Sequence, residues 1–437
     1  MVIATTRRRP RDSPMTAHVV NRSAAERTLA RQFAEQERRD PSPARSAAFA
    51  RFAATGLPTR RVEAWHYTDL RASMADAAPI LPAPTRADIE AARSRLAGRE
   101  RFAAGAQLVL LGGRFIAELS DRLPTGVSIA ERPIAAKTVN DPLAALNEAL
   151  SPSGPTISVA REAKLAEPIT LLHLADEASS YAVYSRTAIA LDAGAQASFV
   201  EIFDGAHAGV QRHVATIVTL ADGARARHVV VVGDEPGLHV ETQIFELAKR
   251  AELSAFGLVS GGELTRRQIF VRMSGDQAKV SLGGLALVDG ARRADTTLQV
   301  VHGAPGGASR EFYRAIVDDN AVGVFQGKVI VERAAQKTDG AMKSQAILLS
   351  PRAQMNEKPE LEIFADDVVC GHGATIASLD PEQVFYLVTR GVSNSDAKAM
   401  LLEAFGGESI DRIEDKSLVD PLRARLAAWL ETRKTQT

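Results

Sequence analysis

Apolar residues along the chain change their spacing twice. From Ala24 to about Arg71 they recur at helical intervals, with Leu29 and Phe33 at i and i+4 and Phe49 and Phe52 at i and i+3. Gly56-Leu-Pro58 breaks that run, and Thr85 to about Arg101 reads as a further helix. At Ala106 the pattern becomes that of strands, and 107–118 predicts two of them about Gly112-Gly113. A short helix at 141–150 has Asp141 placed to cap it and Pro142 at its first position. Helical spacing returns after Thr375. Asp380 and Pro381 open 382–390, and Ser393 or Ser395 caps 397–405, which Gly406-Gly407 closes. Asp420-Pro421 opens a last amphipathic helix through Leu422, Leu426, Trp429 and Leu430.

The β-rich middle repeats itself. Leu191-Asp-Ala-Gly-Ala-Gln-Ala-Ser198, Leu220-Ala-Asp-Gly-Ala-Arg-Ala-Arg227 and Leu247-Ala-Lys-Arg-Ala-Glu-Leu-Ser254 are copies of one turn, and Met273–Val280 is a weaker one. Their separation of roughly 26–29 residues leaves room for a turn and two short strands, with no helix in most units. Such units bury their apolar faces by stacking, which predicts a right-handed parallel β-helix. An antiparallel meander or jelly roll is the other arrangement that periodic turns allow. The expected layout is mainly β: a leader at 1–23, an N-terminal helical domain at 24–105, a β-helix core at 106–378 and a C-terminal helical domain at 379–437. Both helical ends are expected to cap the solenoid, and the core should still fold without the C-terminal one.

Composition removes several classes of function. Among 437 residues, Lys+Arg and Asp+Glu both number 53, so no bulk field draws the chain to nucleic acid or an anionic membrane. The single cysteine rules out an intrachain disulfide and suits a reducing compartment. With no apolar run long enough to span a bilayer, a cytoplasmic location is expected. Arg7, Arg8, Arg9 and Arg11 lie in a stretch without amphipathic pattern, read as a disordered leader.

Gly323-Val-Phe-Gln-Gly-Lys328 imitates a P-loop but is one residue short between its glycines, and Val329 stands where Ser or Thr is needed. No nucleotide is expected on this chain. His207, His213, His228 and His239 fall among the coils and read as surface or hydrogen-bonded core residues. Asp318-Asp319 and Asp366-Asp367 read as turn residues, and Trp65-His-Tyr67 as packing of a helical cap. Chemistry concentrates at Cys370-Gly-His-Gly373, reached through the strand-like 361–369. On a strand, residues two apart share a face about 6.5–7 Å apart, so Cys370 and His372 point the same way. A thiolate and an imidazole suit iron or zinc. Two ligands do not complete a site, so any metal or cluster held there borrows the rest from a second chain.

The chain resembles the SufB/SufD family of iron–sulfur cluster assembly proteins. The likeness rests on Ser309-Arg-Glu-Phe-Tyr313, Gly323–Val329, Gln336-Lys-Thr-Asp339, Leu348-Leu-Ser350 and above all Lys358–Thr375. It continues in Phe385–Gly391, and Trp65-His-Tyr-Thr-Asp-Leu70 matches an N-terminal signature. SufB is the cysteine-richer member, so the lone cysteine points to the SufD branch. The resemblance implies a β-helix between helical ends and a complex with the SufB paralogue and the SufC ABC-type ATPase. It implies a nascent iron–sulfur cluster, or iron, shared with the partner at Cys370 and His372. The ATPase would dock on the C-terminal helices, where Phe385, Tyr386, Leu387, Arg390 and Phe405 offer more surface than a cap needs. Such a subunit is expected to be non-catalytic, and the isolated chain is free to form a homodimer. The competing classes are a β-helix carbohydrate-active enzyme and a purely structural adaptor for an ATPase. Scarce aromatics (5%) and the lack of a separated carboxylate pair count against the first.

Overall fold

A computed structural model of the chain describes residues 22–132, 139–151, 154–175, 180–205, 209–233 and 236–434. Most of the expected leader, and His207, lie outside them; Ser23 already caps the first helix, Ala24–Arg39. The core is a parallel β-solenoid of two sheets, one of ten strands and one of nine, and each turn of chain adds one strand to both. Among the described residues only the entry is antiparallel. Gln107–Leu111 pairs with Arg114–Phe115, and Val127–Arg132 with Gly154–Val159.

The repeats lie in register. Leu191, Leu220, Leu247, Met273, His302, Val331 and Ile363 are successive partners on the nine-stranded sheet. Each coil turns a corner through one residue of positive φ, whose N–H donates to the next coil: Gly194 to Asp222, Gly223 to Lys249, Arg250 to Asp276 and Gln277 to Pro305. Glycine accepts that conformation freely. At Arg250 and Gln277 the stacked backbone imposes it on other residues, which is why the repeat fades there in the sequence. Aliphatic and aromatic side chains from both sheets interdigitate in the interior, including Leu171, Phe199, Leu220, Phe245, Leu282 and Val300.

Helices cover the two flat faces. Trp65, Leu70, Leu146 and neighbours pack against Tyr184, Val240 and Leu264 on the nine-stranded sheet. The Arg266 guanidinium stands 4.2 Å over the Trp65 ring and pairs with Asp295 at 2.6 Å, and Asp295 also accepts from the Thr68 hydroxyl. The Trp-His-Tyr-Thr stretch is thus a structural latch. On the ten-stranded sheet, Leu402, Ile410, Leu418, Leu422, Leu426 and Trp429 lie over Val200, Val229, Leu258, Leu285 and Ile316.

Three expectations change. The C-terminal helices run along a face rather than over an end, so the final coil is left uncapped. Each buried leucine there contributes about 1.5–3 kcal/mol, so cutting the helices away would strip the sheet, and they are not separable from the core. Gly406 and Gly407 do not end their helix, which continues from Asn394 to Asp411. A Cβ on Gly406 would meet Leu426 at 2.9 Å, and one on Gly407 would meet Arg423 at 3.1 Å. The glycines let two helices approach closely. The P-loop look-alike lies within the strand Val322–Val331, with no loop to hold phosphate.

Candidate functional site at the open coil

The last coil consists of Gln354–Ile363 and Val368–Ala377, at the outer edges of the nine- and ten-stranded sheets. Val368–Ala377 pairs only with Thr338–Leu348, setting Cys370 beside Gly340 and His372 beside Met342. Residues that face the interior in earlier coils lie bare here: Ile363, after buried Val331, is 40% exposed and Ile376, after buried Ala346, is 45% exposed. Phe364 and Val369 beside them are also exposed. An unpaired edge next to a cut-open core is a template for another chain.

Cys370 and His372 share the inward face, as the alternation requires. Cys370 is half-buried against the interior core, while His372 is exposed. Burial pushes the Cys370 thiol up; a backbone hydrogen bond from Gly340 opposes this, and Asp339 and Glu311 reinforce it. Among the described residues, none but the adjacent ones in sequence lies within 4 Å of a Cβ built on Gly371 or Gly373. Their smallness meets no demand from their own chain and leaves His372 approachable. Among the described residues no three His, Cys, Asp or Glu side chains gather as a metal cage. A thiol and an imidazole are two donors, fewer than a metal ion or cluster needs.

Of the residues expected to meet an ATPase, Phe385 and Tyr386 are exposed on Pro381–Thr389, and Arg390 stands 5.0 Å over the Tyr386 ring. Leu387 is half-buried. Phe405 is taken up by the body of the protein, its ring 4.3 Å from the Arg314 guanidinium. The coil histidines His213, His228 and His239 are buried. His228 and His173 bind the two oxygens of Glu201 at 2.9 and 3.0 Å, and His213 stacks on Tyr184 at 4.7 Å. Asp318 pairs with Arg433 at 2.9 Å and Asp367 with Lys337 at 3.1 Å, both at turns.

Sequence reading passed over Glu311, which sits in a strand among apolar neighbours. It is 2% exposed and lies in register with Met342, itself the partner of His372. Burial pushes its carboxyl up to about 7. The group therefore favours the fold fully below the unfolded value and ceases to as pH rises through the folded one. Between about pH 5 and 8 this is worth about 3 kcal/mol. Glu311→Gln is expected to raise the melting temperature more at pH 8 than at pH 5, by calorimetry; equal shifts at both would contradict that environment.

The architecture so far is that of a β-solenoid scaffold with an unfinished end carrying Cys370 and His372. A family profile described as "SUF system FeS cluster assembly, SufBD core domain" matches residues 173–405. The iron–sulfur cluster assembly protein SufD of Escherichia coli is 29% identical over 397 residues, covering 86% of this chain and 90% of that protein. A SufBD family protein of Synechocystis is 28% identical, covering 84% of this chain and 86% of its own length. The chain belongs to the SufBD family of the SUF iron–sulfur cluster assembly system, and it is SufD-like.

Proposed function

We propose that the chain is a non-catalytic scaffold subunit that joins a SufB-like paralogue through its open coil. Together they build a nascent iron–sulfur cluster, the substrate of the assembly, with His372 and Cys370 as this chain's contribution. The observation that carries the reading is the bare end of the solenoid, with both ligating side chains on the edge strand. A SufC-like ATPase binds Phe385, Tyr386, Leu387 and Arg390 on the outward helix, and Phe405 steadies that region from within. Arg314 links Phe405 to the ten-stranded sheet and pairs with Glu408, so motion of the helices bears on the strands beside the site. No helix among the described residues is long and apolar enough to cross a membrane, which agrees with work in the cytoplasm. Purification of the chain from its native cell, with partners identified by mass spectrometry, tests the proposal. Recovery with both partners is expected; recovery without either would leave the scaffold reading unsupported.

A further inference from the structure

Glu311 is buried, and neither of its carboxylate oxygens has a hydrogen-bond partner of normal geometry. The nearby Ser309 hydroxyl offsets that burial only in part and is itself engaged with His302 Nε2 at 3.1 Å. A carboxylate left so in a dry interior calls for a proton or a cation. Beside it, across the inner face, is a gap of atomic size. A Cβ on Gly340 would stand 3.4 Å from Cys370 Sγ, 3.6 Å from Ser309 Oγ and 3.9 Å from Val329 Cγ1. Ser309 and Glu311, two apart on the strand Ala308–Val317 and both buried, share this inner face. A thiolate and a carboxylate closing on one divalent ion form an electrically neutral unit, and the mixed sulfur and oxygen donors suit a cation of intermediate softness such as iron(II).

We propose that Glu311 and Cys370, with the Ser309 hydroxyl, form an inner divalent-cation site at Gly340, one step inside the open coil. On binding, the Cys370 S–H and Glu311 O–H bonds break, sulfur–metal and oxygen–metal bonds form, and both protons leave to solvent; no electron is transferred. The site deepens the scaffold reading by giving iron(II) a holding place on this chain before a second subunit supplies further ligands. With so few donors it exchanges its ion readily.

Cobalt(II), added anaerobically to the full-length isolated chain, serves as the probe. Because Cys370 is the sole cysteine, any sulfur-to-cobalt charge-transfer band reports that residue. One equivalent is expected to bind with such a band. Glu311→Gln and Gly340→Ala should each weaken binding at least about tenfold. The added methyl of Gly340→Ala makes only ordinary contacts, so this variant folds while filling the gap. Parent-like binding by both Glu311→Gln and Gly340→Ala, or absence of the band, would each overturn the proposal. None of these outcomes bears on pairing with a paralogue, which is measured separately.

Discussion

Replacing His372 with alanine is expected to abolish cluster assembly in cells while the complex remains whole. The side chain is exposed on an edge strand, flanked by glycines with no neighbours in their own chain, so its loss opens no cavity. Surface substitutions of this kind shift stability by about 0.5 kcal/mol or less. Its chemistry is not so easily replaced: an imidazole ligates iron or passes a proton near neutral pH. Thiolates dominate iron–sulfur ligation, and in the proposed pair the paralogue is the one to supply most of them, so Cys370→Ser should impair assembly less. The measurement is complementation of a deletion strain that depends on the pathway, with recovery of the complex followed in parallel. Full complementation by His372→Ala, or failure only because the complex falls apart, would remove the site and favour the adaptor reading.

Lysine at both Ile363 and Ile376 is expected to prevent pairing with the paralogue. These two residues are where the hydrophobic interior reaches the open end, and both are substantially exposed in the single chain. Charges there cost the isolated fold little, yet on association they would be buried without partners. Breaking complementarity with an unpaired buried charge costs several kcal/mol, and two such charges exceed what an ordinary interface can absorb. Co-purification reads the result: the double variant should come away alone and melt close to the parent. Retention of the paralogue at parental levels would place the interface elsewhere.

Much of this was legible in the sequence, for identifiable reasons. The stacked repeat showed because one corner conformation recurs in every coil and draws glycine to Gly194 and Gly223. That Cys370 and His372 share one face of a strand showed because the residues leading to them favour strands and side chains two apart alternate to the same side. The helix caps at Asp141, Asp380 and Ser393 showed because capping is a local hydrogen bond. Tertiary arrangement stayed hidden. Nothing in Leu422 or Trp429 tells whether an apolar helix face covers a sheet's flank or its end, so the uncapped coil was missed. Gly406-Gly407 looked like a stop because a glycine pair reads alike at a helix end and at a helix crossing. Glu311 gave no signal, since an acid between Arg310 and Phe312 is unremarkable until its strand is seen to turn it inward.

Anaerobic reconstitution with iron and sulfide, on the isolated chain and on its pair with the paralogue, tests the half-site most directly. One chain offers Cys370 and His372 on its open coil, and no cage of three or more ligating side chains exists among its described residues. The isolated chain should therefore hold no stable cluster, while the pair shows stoichiometric cluster absorbance. A stable, stoichiometric cluster on the chain alone would contradict the account.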